Sequence, residues 1–271
     1  MSSKTWARER RAMPRRSIPL TPLSSDESEP LPRPSPTDVA IDTIDLITSE
    51  LSGCTRCPEL RAYTAEIARV RKRAYCNSHY HGAPVPGFGD PKARVLLVGL
   101  APGAHGSNRT GRMFTGDGSG AWLYRALHRA GFASSPHASS VDDGLELFDA
   151  FITAAIRCAP PANKPTRQQK ANCFPYLQRE FLALQGVSVI VTLGRIGDDT
   201  VALLLRSVGA EAIESPKKFA HGAETRYRLH DGRAIVRLAS YHPSLQNTNT
   251  GVLTERMLDE IFLRASELRH G

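Results

Sequence analysis

The stretch VLLVGLAPGAHGSNRTGRMFTGD, residues 95–117, decides the fold. It begins with an apolar run, Val95 to Val98, and then changes to glycines, polar side chains, one aromatic residue and the acid Asp117. A short apolar run of this kind predicts a buried strand. Glycines let the backbone turn sharply and approach a ligand closely, and loops at strand ends often carry binding residues. We therefore expect an active-site loop, with a purely structural turn as the alternative.

Further along the chain, short apolar runs alternate with helical patterns. The predicted strands cover residues 95–100, 150–156, 187–193 and 234–239. The predicted helices between and after them cover residues 121–130, 166–184, 200–208 and 254–268. Strands alternating with helices predict an α/β fold with a mainly parallel sheet covered on both faces. The last strand has an alternative partner, because Asp231-Gly232 can turn it back on Arg226 to Leu229 as a hairpin.

Polar segments follow three of the predicted strands. They are the glycine-rich loop from Gly99, the segment from Arg157 to Asn163, and the segment from Tyr241 to Ser244. In an open parallel sheet the carboxyl ends of the strands converge on one crevice. The sequence therefore predicts a single pocket built from Asp117, Asn163 and His242. The alternatives are structural: a helix cap for Asp117, an Asx turn for Asn163 and a packing role for His242.

Four of the five cysteines are candidates for a metal site. Cys54 and Cys57 form a Cys-x-x-Cys pair, and Cys158 and Cys173 follow about 100 residues later. In a reducing compartment such a pattern indicates metal more often than disulfides, and the spacing fits an iron-sulfur cluster or zinc. Cys158 and Cys173 can instead be buried small hydrophobes. We expect that buried role for Cys76.

Two helices are predicted around the Cys-x-x-Cys pair. The first contains Ala40 to Leu51, with Thr37 or Asp38 as its cap, and the second follows Pro58. A basic cluster near the end of the second helix comprises Arg69, Arg71, Lys72 and Arg73. This cluster either faces a phosphate backbone or lies as a solvated helix end, where cations are favourable.

Charge and composition limit the function classes. The chain has 271 residues and a formal net charge of +8, which favours a polyanionic partner such as nucleic acid. Residues 1–36 are rich in Pro, Ser and Arg and are predicted to be a disordered tail before one domain, residues 37–271. No apolar run has spanning length, so we expect a soluble cytoplasmic protein without membrane contact.

Three segments together resemble the family 5, or B-type, uracil-DNA glycosylases. They are residues 99–117, Arg157 to Thr166, and Ser240 to Thr248, and the four cysteine positions match as well. The resemblance runs from about Cys54 to Leu268. It implies a three-layer αβα fold with a four-stranded parallel sheet, and a [4Fe-4S] cluster held by Cys54, Cys57, Cys158 and Cys173. It also implies hydrolysis of the N-glycosidic bond of uracil in double-stranded DNA, with hypoxanthine and ethenocytosine as further substrates.

The resemblance also suggests roles for individual residues, and we expect the enzyme to act as a monomer. Phe114 is expected to stack on the extruded base and Asn163 to bind its edge, with Ala104 and His105 as further base contacts. His242 is expected to donate to the leaving base, and Asp117 to orient water or stabilise the sugar cation. The expected DNA contacts are Arg109, Arg112, Ser244, Leu245, Gln246 and Asn247. The strand-end motif Gly99 to Gly103 lacks the carboxylate that other branches of the superfamily carry there. A non-catalytic protein that binds damaged DNA is the alternative.

Overall fold

A computed structural model describes residues 43–270, and its centre is one mixed seven-stranded sheet. The strands are β1 (Phe88–Gly89), β2 (Val95–Gly99), β3 (Ala150–Ala154), β4 (Val189–Leu193), β5 (Glu211–Ala212), β6 (Glu224–Arg228) and β7 (Ala234–Ser240). The four predicted strands are β2, β3, β4 and β7, and all four form close to their predicted bounds. Each of β2, β3 and β4 is buried along its whole length, which explains their continuous apolar sequences.

The sheet order is β1-β3-β2-β4-β7-β6-β5. The central four strands are parallel, with Leu97 of β2 opposite Ile152 of β3 and Val191 of β4. Antiparallel strands are added at both edges, where β1 pairs with β3 and the β5–β6 pair continues from β7. The expected four-stranded parallel sheet is thus the centre of a larger one. The last strand makes both of its alternative pairings, because β7 lies between β4 and the hairpin strand β6.

Helices cover the two faces of this sheet. The helices are α1 (Ile44–Ser52), α2 (Pro58–Val70), α3 (Ser107–Thr110), α4 (Gly118–Arg129), α5 (Arg167–Ala183), α6 (Arg195–Ser207), α7 (Leu245–Asn249) and α8 (Glu255–Leu268). Side-chain oxygens of Thr43, Asp117, Thr166 and Thr254 cap the first turns of α1, α4, α5 and α8. The proposed caps Thr37 and Asp38, like the predicted tail of residues 1–36, lie outside the described residues.

Two hydrophobic cores give the three-layer αβα arrangement. Side chains alternate along β2, so Val95 and Leu97 pack with α4 and α8 on one face of the sheet. Leu96 and Val98 pack with α5 and α6 on the other face. The α/β prediction with helices on both faces is therefore confirmed. Within residues 43–270 no helix combines the length and apolar character needed to cross a membrane.

Candidate active site

A cavity of about 300 Å³ lies at the carboxyl ends of the parallel strands. The predicted residues Phe114, Asp117, Asn163 and His242 all line it. Phe114 and Asp117 come from the loop after β2, Asn163 from the segment after β3, and His242 from the segment after β7. The strand-end argument thus brings together residues that are more than 120 positions apart in the sequence. We call this cavity the pocket.

Phe114 is held in the pocket wall by a tightly packed backbone. It is buried, and its φ of 52° is a left-handed conformation that side chains other than glycine rarely adopt. A Cβ on Gly99 would lie 2.8 Å from the Phe114 ring, and one on Gly120 would overlap the Phe114 carbonyl oxygen. Because neither glycine has a side chain, the loop can fold back and present the ring to the pocket.

Asp117 serves as a helix cap and also lines the pocket. Its Oδ1 accepts a hydrogen bond from the Gly120 N–H at 3.0 Å, at the first turn of α4. Burial raises the pKa of the Asp117 carboxyl, while the backbone hydrogen bonds and the nearby Arg109 charge act in the opposite direction. The Asp117 side chain therefore caps α4 and lines the pocket at the same time. The helix-cap alternative and the predicted place of Asp117 in the pocket are compatible.

His242 lies beside the Phe114 ring. The ring centroids are 5.8 Å apart and the ring planes are tilted by 33°. The backbone is held in place because the Asn247 side chain donates a hydrogen bond to the His242 carbonyl oxygen at 2.9 Å. Burial lowers the pKa of His242 to about 4, so the imidazole is neutral at physiological pH. A neutral imidazole retains one N–H donor.

Asn163 reaches the pocket through an unusual backbone. Both Ala162 and Asn163 have left-handed φ values, 52° and 55°, in a short 3₁₀ turn after Pro160. The Asn163 backbone N–H bonds to the Pro160 carbonyl at 3.1 Å. The side-chain amide is exposed and has no hydrogen-bond partner among residues 43–270, so the Asx-turn alternative is not what the structure has.

Ala104 and His105 lie next to the pocket rather than in it. They line a side groove together with Tyr63, Lys72, Tyr75 and Leu245. The side groove and the pocket share Gly103, Asp117 and Asn163, so the two are continuous. His105 Nδ1 lies 3.0 Å from the buried Tyr80 hydroxyl. Burial, with the charges of Lys72 and Arg109, lowers the pKa of His105.

The structure contradicts the predicted phosphate contact for Arg112. Its side chain is only 3% exposed and forms two hydrogen bonds with the Asp143 carboxylate, at 2.8 and 2.6 Å. The guanidinium also lies 4.9 Å from the Phe88 ring centroid. A buried, paired cation of this kind cannot reach a phosphate, so Arg112 stabilises the fold instead.

Arg109 is mainly engaged within the protein. Its Nε donates to the His105 carbonyl and its Nη2 to the Gly116 carbonyl, both at 2.9 Å. The guanidinium carbon also lies 4.2 Å from the Tyr75 ring centroid. These contacts tie together the two ends of the loop that precedes Asp117. The phosphate contact of Arg109 stays a prediction.

The segment after His242 forms a short helix at the mouth of the pocket. Ser244 lines the pocket and accepts the Asn247 N–H at 3.3 Å, capping α7. Leu245 is 56% exposed and lies against Gly118. Gln246 is exposed and Asn247 is half-buried through its bond to His242. An exposed leucine beside a pocket is available to contact a ligand outside it.

The four candidate metal-binding cysteines line one small cavity. The Arg157 backbone N–H donates to Cys173 Sγ at 3.3 Å, and the Asn172 amide donates to Cys57 Sγ at 3.4 Å. Burial raises the pKa of Cys158 to about 12 and that of Cys173 to about 11. Within residues 43–270 no group of three side chains is placed to hold a single metal ion.

The fifth cysteine, Cys76, is exposed, so the prediction of a buried role is wrong. It lies at the end of a short 3₁₀ turn, Arg73–Tyr75.

Sequence reasoning missed several residues that line the pocket. Ser107 and Ser119 belong to the first turns of α3 and α4, and Leu100 and Ala101 belong to the strand end. The glycine-rich loop does supply residues that line the pocket, as its sequence predicts. Which of its side chains point inward depends on backbone conformations that the residue types alone do not determine.

The comparisons with known proteins agree with this geometry. A family model described as the uracil DNA glycosylase superfamily matches residues 86–265. A type-5 uracil-DNA glycosylase of Thermus thermophilus is 50% identical over 218 residues, which are 80% of this chain and 94% of that protein. One of Mycobacterium leprae is 45% identical over 227 residues, or 83% and 96% of the two chains.

A type-4 uracil-DNA glycosylase of Saccharolobus solfataricus is more distant. It is 27% identical over 228 residues, which cover 84% of this chain and 87% of that protein. The identity to the two type-5 proteins, 50% and 45%, is thus clearly higher at similar coverage. The chain belongs to the uracil-DNA glycosylase superfamily and, within it, to the type-5 uracil-DNA glycosylases.

Proposed function

We propose that the protein is a monofunctional DNA glycosylase that removes uracil from double-stranded DNA. It hydrolyses the N-glycosidic bond of an extruded nucleotide and leaves an abasic site in an intact strand. One observation carries the proposal: an aromatic ring, a carboxylate, an amide and a neutral imidazole line one cavity of about 300 Å³. The type-5 relatives, which are named uracil-DNA glycosylases, support the same activity.

Base extrusion explains why an enclosed pocket suits this reaction. A base inside a duplex cannot be reached, so the nucleotide must leave the stack, at a cost of roughly a few kcal/mol that is smaller for a mismatched pair. Stacking on an aromatic ring returns about 1–3 kcal/mol per base, and Phe114 offers such a ring in the pocket wall. The Asn163 amide has free donors and acceptors for the edge of the base.

His242 is the proposed donor to the leaving base. Bond cleavage leaves negative charge on the base, and a donor aimed at a carbonyl oxygen stabilises that charge in the transition state. Because burial holds the pKa of His242 at about 4, the imidazole donates through its single N–H as a neutral group and its protonation state does not change near pH 7. A neutral donor in a buried site is effective because no bulk water screens it.

Asp117 is the proposed group at the opposite pole of the reaction. Cleavage leaves positive charge on the sugar, which a carboxylate stabilises directly or by orienting the attacking water. The backbone hydrogen bond from Gly120 fixes its Oδ1. Burial raises the pKa of the Asp117 carboxyl, and this hydrogen bond and the charge of Arg109 oppose that rise. Among residues 43–270 no other carboxylate lines the pocket, which fits the absence of an acid in the segment Gly99 to Gly103.

The exposed face of α7 is the proposed duplex contact. Extrusion leaves a gap in the base stack, and an apolar or amide side chain can fill it. Leu245 and Gln246 are exposed beside the pocket, and Ser244 and Asn247 hold the helix end in place. The proposed active form is a monomer, in which Phe114, Asp117, Asn163 and His242 line one pocket.

The residues around the cysteine cavity fit a [4Fe-4S] cluster. Four thiols line one cavity, and a Cys-x-x-Cys pair joined to two distant thiols suits an iron-sulfur cluster at least as well as a zinc ion. Arg157 Nη2 pairs with the Glu180 carboxylate, but Nη1 of Arg157 and Nη1 of Arg61 are buried without hydrogen-bond partners among the described residues. The sulfurs of an anionic cluster would give these two N–H groups acceptors. The N–H groups of Arg157 and Asn172 already point at two of the sulfurs.

The proposed ligands are Cys54, Cys57, Cys158 and Cys173. A cluster bound by them would cross-link the loop before α2 with the segment after β3 and with α5. Purified protein is expected to be brown, with absorbance near 400 nm. A colourless, fully active protein with stoichiometric zinc would overturn this assignment.

One assay tests the proposed activity and its breadth. The full chain is incubated with duplexes carrying a single uracil, hypoxanthine, ethenocytosine or thymine opposite guanine, and abasic sites are then cleaved with alkali. We expect strand cleavage at uracil only after the alkali step, with cleavage at the other damaged bases if the pocket is broadly selective. Tight binding to these duplexes without any base release would instead support a non-catalytic damaged-DNA-binding protein.

A further inference from the structure

The side groove has the size and position of a second nucleotide site. Its volume is about 460 Å³, and it joins the pocket along Gly103, Asp117 and Asn163. Its outer wall is formed by Tyr63 of α2 and by Lys72 and Tyr75 of the segment that follows α2. These three residues precede residue 86, where the match to the superfamily model begins. The proposed base excision uses none of them.

Tyr75 is a fixed aromatic surface in this groove. The Arg109 guanidinium lies 4.2 Å from its ring centroid, and Arg109 is itself fixed by the carbonyls of His105 and Gly116. The side chain is half-buried and lines the groove. An aromatic ring held in one orientation loses little freedom when a flat ligand stacks on it.

Lys72 gives the groove an available positive charge. Neighbouring cations are engaged, since Arg69 pairs with Glu66 at 2.7 Å and Arg71 donates to the Cys76 carbonyl at 2.8 Å. Lys72 is exposed, and its side-chain ammonium has no hydrogen-bond or ion-pair partner in residues 43–270. Apart from Asp117, which the groove shares with the pocket, no carboxylate of the described part of the chain lines the groove.

The geometry points to a flanking-nucleotide site: we infer that the side groove binds the nucleotide next to the extruded one on the same strand. Tyr75 stacks on its base, and Lys72 binds its phosphate. Because the side groove and the pocket share Gly103, Asp117 and Asn163, the nucleotide assigned to the groove is the neighbour of the extruded one. The inference rests on the proposed function and specifies how the damaged strand is held.

A binding cycle tests the stacking contact. The full chain is titrated into duplexes that carry 2′-fluoro-2′-deoxyuridine opposite guanine, since the fluorine prevents cleavage, and affinity is read by fluorescence anisotropy. In matched duplexes the base on the 5′ or the 3′ side of the uracil is removed, leaving a tetrahydrofuran residue. Tyr75→Ala is compared with Tyr75→Phe, which keeps the ring and controls for loss of folding.

We expect the losses of duplex affinity caused by removing the Tyr75 ring and by removing one neighbouring base to be coupled. Tyr75→Ala weakens binding to the intact duplex about 5- to 150-fold, the range for one stacked base, while Tyr75→Phe binds like wild type. Removing the base on one side weakens wild type similarly and leaves Tyr75→Ala unchanged. Equal losses from base removal in wild type and Tyr75→Ala on both sides would overturn the inference.

Salt dependence tests the phosphate contact. Lys72→Ala is expected to lower the slope of log Kd against log salt concentration by about 1, as for one lost phosphate contact. Lys218→Ala is the matched control, since Lys218 is an exposed lysine that does not line the groove. Equal slopes for Lys72→Ala and wild type would contradict the phosphate role.

The same experiments separate this inference from the proposed function. If wild type releases uracil but the cycle shows independent losses, the side groove is not a nucleotide site and the proposed activity stands. If wild type does not release uracil from the cleavable duplex, the proposed activity fails whatever the groove binds.

Discussion

Replacing His242 by alanine tests whether a neutral imidazole stabilises the leaving base. The substitution removes a donor that lies in the pocket beside Phe114. Loss of one preorganised donor to a developing anion costs about 2.7–4 kcal/mol, which corresponds to a rate decrease of about 100- to 1,000-fold. Because the pKa of His242 is about 4, the wild-type imidazole does not titrate between pH 6 and 8. The ratio of wild-type to variant rates is therefore expected to stay constant across that range.

The burial of His242 also predicts that the free energy of unfolding changes with pH. An unfolded histidine has a pKa of about 6.5, so between pH 6.5 and 4 the unfolded state binds more protons than the folded state. The contribution of the neutral His242 to the free energy of unfolding is therefore present above pH 6.5 and is lost as pH falls from 6.5 to 4. At pH 5 this loss is roughly 2 kcal/mol relative to pH 8. The His242→Ala variant has no buried imidazole that could be protonated, so its free energy of unfolding depends less on pH.

Both effects can be measured on the same preparations. Single-turnover uracil release from a uracil–guanine duplex gives the rates at pH 6, 7 and 8, and urea unfolding at pH 5 and 8 gives the stabilities. His137→Ala is the control, because His137 is exposed and does not line the pocket. Wild-type rates in His242→Ala would refute its role. A rate ratio that falls as pH rises through 6.5 would show that the protonated imidazolium is the donor.

Further predictions concern the loop, the buried ion pair and the cysteines. Arg112→Ala should lower the free energy of unfolding by about 3–5 kcal/mol, because it leaves the Asp143 carboxylate without its buried partner; normal stability with a smaller salt dependence of DNA binding would restore the phosphate role. Gly106→Ala should slow excision about 100-fold, because the new Cβ would lie 2.7 Å from Asp117 Cγ and displace the carboxylate; wild-type rates would show that this position of Asp117 is unimportant. Cys173→Ser should lose absorbance near 400 nm and melt at lower temperature, with exposed Cys76→Ser as a control that keeps both; a brown Cys173→Ser protein would exclude that ligand.

The central sheet was predictable because its strands are buried on both faces. Segments such as Val95–Gly99 and Val189–Leu193 consist mainly of apolar residues, and no other element type explains runs this short. The edge strands Phe88–Gly89 and Glu211–Ala212 contain only two residues each, too few for any periodicity. The four-strand expectation was therefore correct for the centre and incomplete at the edges.

The sequence predicted which segments form the pocket. The contacts of individual side chains were harder to predict. Strand ends located Asp117, Asn163 and His242 because parallel topology alone brings them together. The predicted phosphate contact of Arg112 was wrong because an arginine in a polar loop is usually solvated. Its partner Asp143 lies 31 residues away in a separate loop, so no local pattern indicates the pair. The groove wall at Tyr75 depends on a stacking contact with Arg109 that no local pattern indicates.

The central claim is that Asp117 and His242 act on opposite sides of one bond in one pocket, and a double-mutant cycle measures this most directly. Single-turnover uracil release is compared for wild type, Asp117→Asn, His242→Ala and the combined variant, with duplex affinity measured in parallel. We expect each single variant to be at least tenfold slower, and the combined loss to be smaller than the product of the single losses. Strictly multiplicative losses, or a wild-type rate in either single variant, would contradict the claim.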